Sequence, residues 1–223
     1  MSSAVIGSNL EAVRRRIELA CQRAGRSPQD VTMIAVTKTV DAAVIETAVG
    51  LGIRDLGENR VQEASKKIRQ LANLQPRPTW HLIGHLQSNK VKSALELFDI
   101  IHSVDSLELA EHINRRAKAQ IPVLLQVNVA GESTKSGFSP SEIEAAFKTI
   151  SRMPGLWVRG LMTIAPPASD AEQVRPVFRK LREMRDAFHL EHLSMGMTDD
   201  FEVAIEEGAT FVRIGRAIFG ERD

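Results

Sequence analysis

Val31-Thr-Met-Ile-Ala-Val-Thr-Lys38 is an apolar, β-branched run that closes on an alkyl ammonium, and it predicts a buried strand. Working outward, seven more strand-like runs end near Asn59, Gly84, Val104, Asn128, Thr163, Gly196 and Gly215. Amphipathic stretches lie between them at Asp41–Leu51, Val61–Leu74, Ser106–Lys118, Ser141–Ile150 and Ala171–Leu190, after an opening helix over roughly residues 8–25. Eight strands alternating with helices, with no internal linker, predict an α/β fold with a parallel sheet. Closure into a single (β/α)8 TIM barrel over residues 1–223 is more economical than an open sheet of that size. Only about eight residues follow the last strand, Thr210-Phe-Val-Arg-Ile-Gly215, so no full eighth helix fits. The extra N-terminal helix is expected to cover that gap. The proline-bearing segments Gln75–Pro78 and Pro166–Pro167 read as loops.

Composition narrows the function classes. The chain has 223 residues, 43% hydrophobic and 26% charged, and 29 basic against 28 acidic side chains leave a net charge of +1. That balance gives no nucleic-acid footprint. No apolar run is long enough to cross a bilayer, and Met1-Ser-Ser-Ala-Val-Ile-Gly-Ser-Asn-Leu-Glu11 lacks the basic and apolar regions of a signal peptide. One cysteine cannot form an internal disulfide, so a cytoplasmic setting is expected. Cys21, beside Leu10, Val13, Ile17 and Ala24 in the first helix, reads as a small core residue. The basic stretch Arg175–Arg185 alternates with acids and apolar residues and reads as a solvated helix face.

Polar and glycine-rich motifs recur where strands end: Thr37-Lys38, Gly57-Glu58-Asn59, Ile83-Gly84-His85, Gln126-Val127-Asn128, Met162-Thr163, Ser194-Met195-Gly196 and Arg213-Ile214-Gly215. A barrel opens all its strand C-termini onto one face, so these residues converge. Partial burial favours the neutral form of an amine, and a neutral lysine forms a Schiff base with an aldehyde. Lys38 also suits a lysine that ends a strand and snorkels to solvent. Ser194-Met-Gly-Met-Thr198 after strand seven and Arg213-Ile-Gly215 after strand eight occupy the usual phosphate position of such barrels. Thr198 equally suits a cap on a helix from Asp199 to Glu206. A Schiff-base lysine on strand one and a phosphate cradle on strands seven and eight together suggest pyridoxal phosphate. Arg213, which can only donate, then lies beside the ring nitrogen; the alternative is a buried pair with Glu58.

The remaining candidates are less constrained. His81 and His85 have no third partner for a metal. His85 suits either the cofactor face or loop packing. Asn59 suits a hydrogen bond to cofactor or to Lys38, or closure of its turn. Met162 suits contact with the ring or with the core.

Ala35-Val-Thr-Lys38, Gly57-Glu-Asn-Arg-Val-Gln-Glu63, Trp80-His-Leu-Ile-Gly-His-Leu-Gln-Ser-Asn-Lys90, Lys135-Ser-Gly137, Gly160-Leu-Met162, Leu193-Ser-Met-Gly-Met197 and Val212-Arg-Ile-Gly215 with Ile218-Phe-Gly220 carry a resemblance along nearly the whole chain. In these stretches it resembles the YggS/PROSC family of pyridoxal-phosphate homeostasis proteins. The resemblance implies a barrel like the N-terminal domain of alanine racemase without that enzyme's second domain. It implies that Lys38 carries pyridoxal 5'-phosphate, that Ser194, Thr198 and Gly215 surround its phosphate, and that Arg213 lies near its ring nitrogen. Thr37 and Thr198 stand where the family often has serine, and both keep the hydroxyl. Asn59, His85, Met162 and Met195 complete the expected cofactor-binding set, with no metal.

A homeostasis protein that holds the cofactor, with apoenzymes as candidate recipients, is the leading reading; a low-activity amino-acid racemase is the alternative. The chain contains no tyrosine, the residue that the resembling racemase uses opposite its lysine. A monomer or weak homodimer is expected.

Overall fold

A computed structural model describes residues 2–132 and 134–221. The expected span of 1–223 includes positions 1, 133, 222 and 223, which lie outside the described residues. Strands β1 (Thr32–Val36), β2 (Asp55–Glu58), β3 (Thr79–Leu82), β4 (Ile100–Val104), β5 (Ile121–Gln126), β6 (Leu156–Met162), β7 (His192–Met197) and β8 (Phe211–Ile214) form a closed parallel barrel in sequence order. Helices α2 (Ala42–Gly50), α3 (Val61–Gln70), α4 (Val91–Leu97), α5 (Leu107–Arg116), α6 (Ile143–Ile150), α7 (Arg175–Ala187), α8 (Phe201–Glu206) and α9 (Arg216–Phe219) follow the strands in turn. Closure is direct: Ile34 stands opposite Asp55 of β2 on one side and Arg213 of β8 on the other. The α/β barrel with an extra N-terminal helix is therefore observed as expected.

That extra helix, α1 (Ser3–Arg23), begins before the expected residue 8 because the Ser2 hydroxyl accepts from Val5 N–H and caps it. Ile6, Leu10, Val13, Ile17, Ala20 and Cys21 form its buried stripe. Burying each large aliphatic side chain there contributes roughly 1.5–3 kcal/mol. Asn9 Nδ2 donates to the Ile218 carbonyl at 3.0 Å and Arg16 pairs with Glu202 at 2.6 Å, so α1 covers the gap beside the four-residue α9.

Three expectations need correction. α4, seven residues long, is missing from the periodic stretches, because it is too short to show a full amphipathic repeat. α8 starts at Phe201, and the preceding turn is closed by Asp200 Oδ1 accepting from Met197 N–H at 2.6 Å, so Thr198 does not cap it. The basic stretch of α7 is more than a solvated face. Arg175 pairs with Glu172, Glu206 and Glu207, and Arg179 and Arg182 both reach the buried Glu207, which pins α7 to the end of α8.

Strand alternation divides the core in two. Outward residues such as Ala35, Leu56, Leu82, Ile101, Leu193, Met195, Val212 and Ile214 join the large core beneath the helices. Inward residues Ile34, Leu124, Met162 and Phe211 form a small apolar plug. The rest of the interior is polar: His81, His102, Ser194 and Arg213 are all buried. Barrel interiors are usually filled by branched aliphatic layers, so this polar filling requires its own account.

Candidate functional site

Lys38 lies two residues beyond β1, exposed on the open C-terminal face of the barrel. Ile34 faces the barrel interior, and past Val36 the chain leaves the strand and turns, with Lys38 in that turn at the rim. The segment around it is clamped from α3. Lys67 Nζ, buried, donates to the Thr37 carbonyl at 2.5 Å, to Glu58 Oε1 at 2.8 Å and to Glu63 Oε1 at 2.6 Å. Thr37 Oγ1 donates to Glu58 Oε1 at 2.6 Å, and Glu63 also accepts from Thr39 N–H. Thr39 takes φ +60°, a left-handed conformation that a β-branched residue keeps only when its surroundings enforce it. Both neighbours of Lys38 are thus fixed by ion-paired side chains. Burial pushes the Glu58 carboxyl above its ordinary value, against the opposing pull of Lys67 and Thr37.

Asn59 directly follows β2. With Ile83, Gly84, His85, Gln126, Asn128 and Lys135 it lines a cavity of about 280 Å³, which shares Asn59, Gly84 and His85 with a wider groove of about 730 Å³. Glycine at 84 is required there, because a Cβ would lie 2.4 Å from the Asn59 carbonyl oxygen. His85 is exposed and its Nδ1 lies 2.8 Å from Asp105 Oδ2. It stands beyond the C-terminal end of β3. Lys38 does not line either cavity but sits at the adjacent strand end.

On the far side of the mouth, Gly196 takes φ +89°, and a Cβ there would meet Ala204 Cβ at 2.6 Å and Phe201 Cα at 2.9 Å. The turn can therefore fold tightly onto α8 only with glycine. Thr198 is half-buried in that turn. Gly215 precedes α9, whose first amides, on Arg216 and Ala217, have no intrahelical acceptor by geometry. Because β8 pairs with β1 through Ala35 and Ile214, this end of β8 lies next to the Lys38 segment.

Four of the expected residues lie deeper. Met162 belongs to the apolar plug. Met195 points outward into the core beneath the helices. Ser194 is fully buried inside the barrel, its Oγ 2.9 Å from His102 Nδ1 and accepting from Arg213 Nη1 at 2.7 Å. Arg213 also donates from Nη2 to the Thr163 carbonyl at 2.8 Å, so it does not pair with Glu58. Burial pushes the guanidinium down to about 10, with Asp200 opposing the shift.

Sequence reasoning passed over Lys67, Asp55 and His102. The alternation in each strand carried a signal for His102: it falls on the inward face of β4, where an aliphatic residue is the norm. Lys67 offered none, since a lysine on an amphipathic helix ordinarily faces water. Among the described residues no cluster of histidine, cysteine and carboxylates could hold a metal.

The chain belongs to the family of the alanine racemase N-terminal domain, whose pattern matches residues 8–223. Within that family the agreement is with pyridoxal phosphate homeostasis proteins. That of Aquifex aeolicus (strain VF5) is 48% identical over 222 residues, 96% of each chain. PipY of Synechococcus elongatus PCC7942, solved with PLP bound, is 38% identical with a TM-score of 0.83, covering 96% of this chain and 100% of that one. Alanine racemase of Corynebacterium glutamicum shares the fold, with a TM-score of 0.67 at 19% identity; 96% of this chain matches 62% of the racemase.

Proposed function

We propose that this chain is a pyridoxal 5'-phosphate-binding protein of cofactor homeostasis, with Lys38 as the residue that holds the cofactor. One observation carries the reading: Lys38 stands just past β1 in a segment clamped on both sides, next to the end of β8 that leads into Gly215. The residues fit the group. An amine, a tight turn that a Cβ would fill, and a buried arginine supply a site for an aldehyde, for a phosphate and for an unprotonated ring nitrogen. The bound cofactor supplies an electrophilic aldehyde on a conjugated ring.

This chain's own part is binding and orientation. Thr198, Gly196 and Gly215 would face the phosphate with hydroxyl and backbone N–H groups. Arg213 donates only, so it would keep a facing ring nitrogen free of a proton and weaken the ring as an electron sink. Asn59 and His85 border the open side of the cofactor. Met162, Met195 and Ser194 would support the site from behind, Ser194 by holding Arg213. The open mouth suits a protein that releases its cofactor, and apoenzymes that need it are its proposed recipients, with the protein as a monomer or weak homodimer in the cytoplasm. No helix among the described residues is long and apolar enough to cross a membrane.

Borohydride reduction of the protein loaded with pyridoxal phosphate, followed by peptide mapping, tests the assignment. The expected label is on Lys38; a label chiefly on another lysine overturns it.

A further inference from the structure

The polar interior forms one continuous chain. His81 Nε2 lies 2.9 Å from Asp55 Oδ1, His81 Nδ1 lies 2.9 Å from His102 Nε2, and His102 Nδ1 lies 2.9 Å from Ser194 Oγ. Ser194 Oγ accepts from Arg213 Nη1 at 2.7 Å. Asp55 starts β2 at the opposite mouth, where it lines a cavity of about 350 Å³. The chain therefore crosses the barrel interior from a carboxylate at the N-terminal mouth to the arginine at the cofactor end.

Donor counting gives it a direction. Arg213 can only donate, so a Ser194 lone pair receives it and the hydroxyl proton is free to go to His102 Nδ1. A neutral His102 then carries its hydrogen on Nε2 and gives it to His81 Nδ1. His81 in turn carries its hydrogen on Nε2 and gives it to Asp55. Every donor and acceptor in the row is used once, as buried polar groups require. Run the other way, with both imidazoles neutral, the row leaves the serine hydroxyl without an acceptor and needs a proton on Asp55. Burial, with His81, Arg213 and His192 nearby, holds His102 well below the ordinary histidine range. The Phe211 ring of the apolar plug packs against His81, His102 and His192 at centroid distances of 5.7, 5.3 and 4.6 Å, which gives the row an apolar flank.

We propose that Asp55, His81, His102 and Ser194 form a one-way hydrogen-bond row that positions Arg213, with both imidazoles as fixed neutral Nε2–H tautomers. His81 and His102 are positioning residues: they act through Ser194 by fixing its hydroxyl proton away from the arginine. The row deepens the reading of Arg213 as the group facing the ring nitrogen, and it rests on that reading for its use in the cell.

Nitrogen-15 NMR of the cofactor-free protein tests it without any bound ligand. Both histidines should show the neutral Nε2–H pattern at pH 7; a cationic or Nδ1–H His102 overturns the row. His102→Leu removes the acceptor for Ser194, whereas His102→Gln can still accept from serine and donate to His81. Side-chain N–H exchange at Arg213 should run about tenfold faster in His102→Leu and stay near wild type in His102→Gln. Unchanged exchange in a folded His102→Leu overturns the coupling to Arg213. Should His102→Leu fail to fold, the His102→Gln and wild-type spectra still decide the direction. Failure to bind pyridoxal phosphate would overturn the proposed function and leave these results standing.

Discussion

Lys67 Nζ lies 2.8 Å from Glu58 Oε1, and both side chains are buried between β2 and α3. The pair does more than neutralise itself, since the same ammonium holds the Thr37 carbonyl one residue before Lys38. Buried pairs are often no better for stability than apolar substitutes, because desolvation offsets attraction. The role of this pair is geometric, because it fixes the backbone that leads into Lys38.

Lys67→Met should therefore lose stability by about 3–5 kcal/mol, the usual cost of stranding a buried charge. Glu58 in the native state already favours its proton more than an exposed carboxyl does, and removal of Lys67 strengthens that preference. The native state then binds protons better than the unfolded one, so the deficit relative to wild type should shrink as pH falls from 8 to 6. Urea denaturation at both pH values measures it. A pH-independent deficit would rule out an ionised Glu58 as the cause. Glu58→Gln combined with Lys67→Met should recover part of the loss.

Acid sensitivity should come from His102. Its native pKa is depressed by burial, while an unfolded histidine titrates near 6.5. Below that value the unfolded state takes up the proton and the native state does not, so stability falls as pH falls, by up to about 1.4 kcal/mol per pH unit. Half-buried His192, also held low by burial, adds to the slope. His102→Gln should flatten the decline between pH 6.5 and 5 by about 1 kcal/mol per unit. Equal slopes for variant and wild type would show that His102 is already charged in the native protein.

Much of this was legible in the chain. The strand ends at Lys38, Asn59, Gly84, Thr163 and Gly215 could be read because β-branched runs stop at polar or glycine residues, and chemistry gathers where they stop. The polar interior was not. Asp55 and Ser194 lie 139 residues apart, from their positions in the chain, and each alone looks like an ordinary strand residue. Only closure of the barrel brings them into one row. Lys67 was hidden for a related reason: besides Glu63 in its own helix, its partners Thr37 and Glu58 come from elsewhere in the chain. Ser194 stood in a motif that fits a phosphate turn, yet its place on the inward face of β7 gives its hydroxyl to Arg213 and His102.

Anchoring and covalency should separate. Lys38→Ala should still bind pyridoxal phosphate, more weakly and without a borohydride-stable label. Wild type should bind pyridoxal far less well than pyridoxal phosphate, because charge-assisted hydrogen bonds are worth about 1.5–3 kcal/mol each. Gly196→Ala should erode that preference, since its φ of +89° and the 2.6 Å approach to Ala204 forbid a side chain. Equal affinities for the two vitamers by calorimetry would remove the phosphate cradle.

Efficient racemisation is not expected. A racemase needs a proton donor and acceptor on opposite faces of its substrate, and the chain has no tyrosine to set against Lys38. Arg213, buried and only able to donate, would leave a facing ring nitrogen unprotonated, which favours holding the cofactor over driving carbanion chemistry. Loss of one partner from an acid–base pair costs roughly 10²–10⁴-fold, and enzymes commonly turn over at about 1–10³ per second. Interconversion of D- and L-alanine or serine by the cofactor-loaded protein should therefore fall well below once per second. Rapid turnover on either amino acid would favour the racemase reading, whereas reactivation of a cofactor-free enzyme by the loaded protein, with no turnover of its own, would support the homeostasis role.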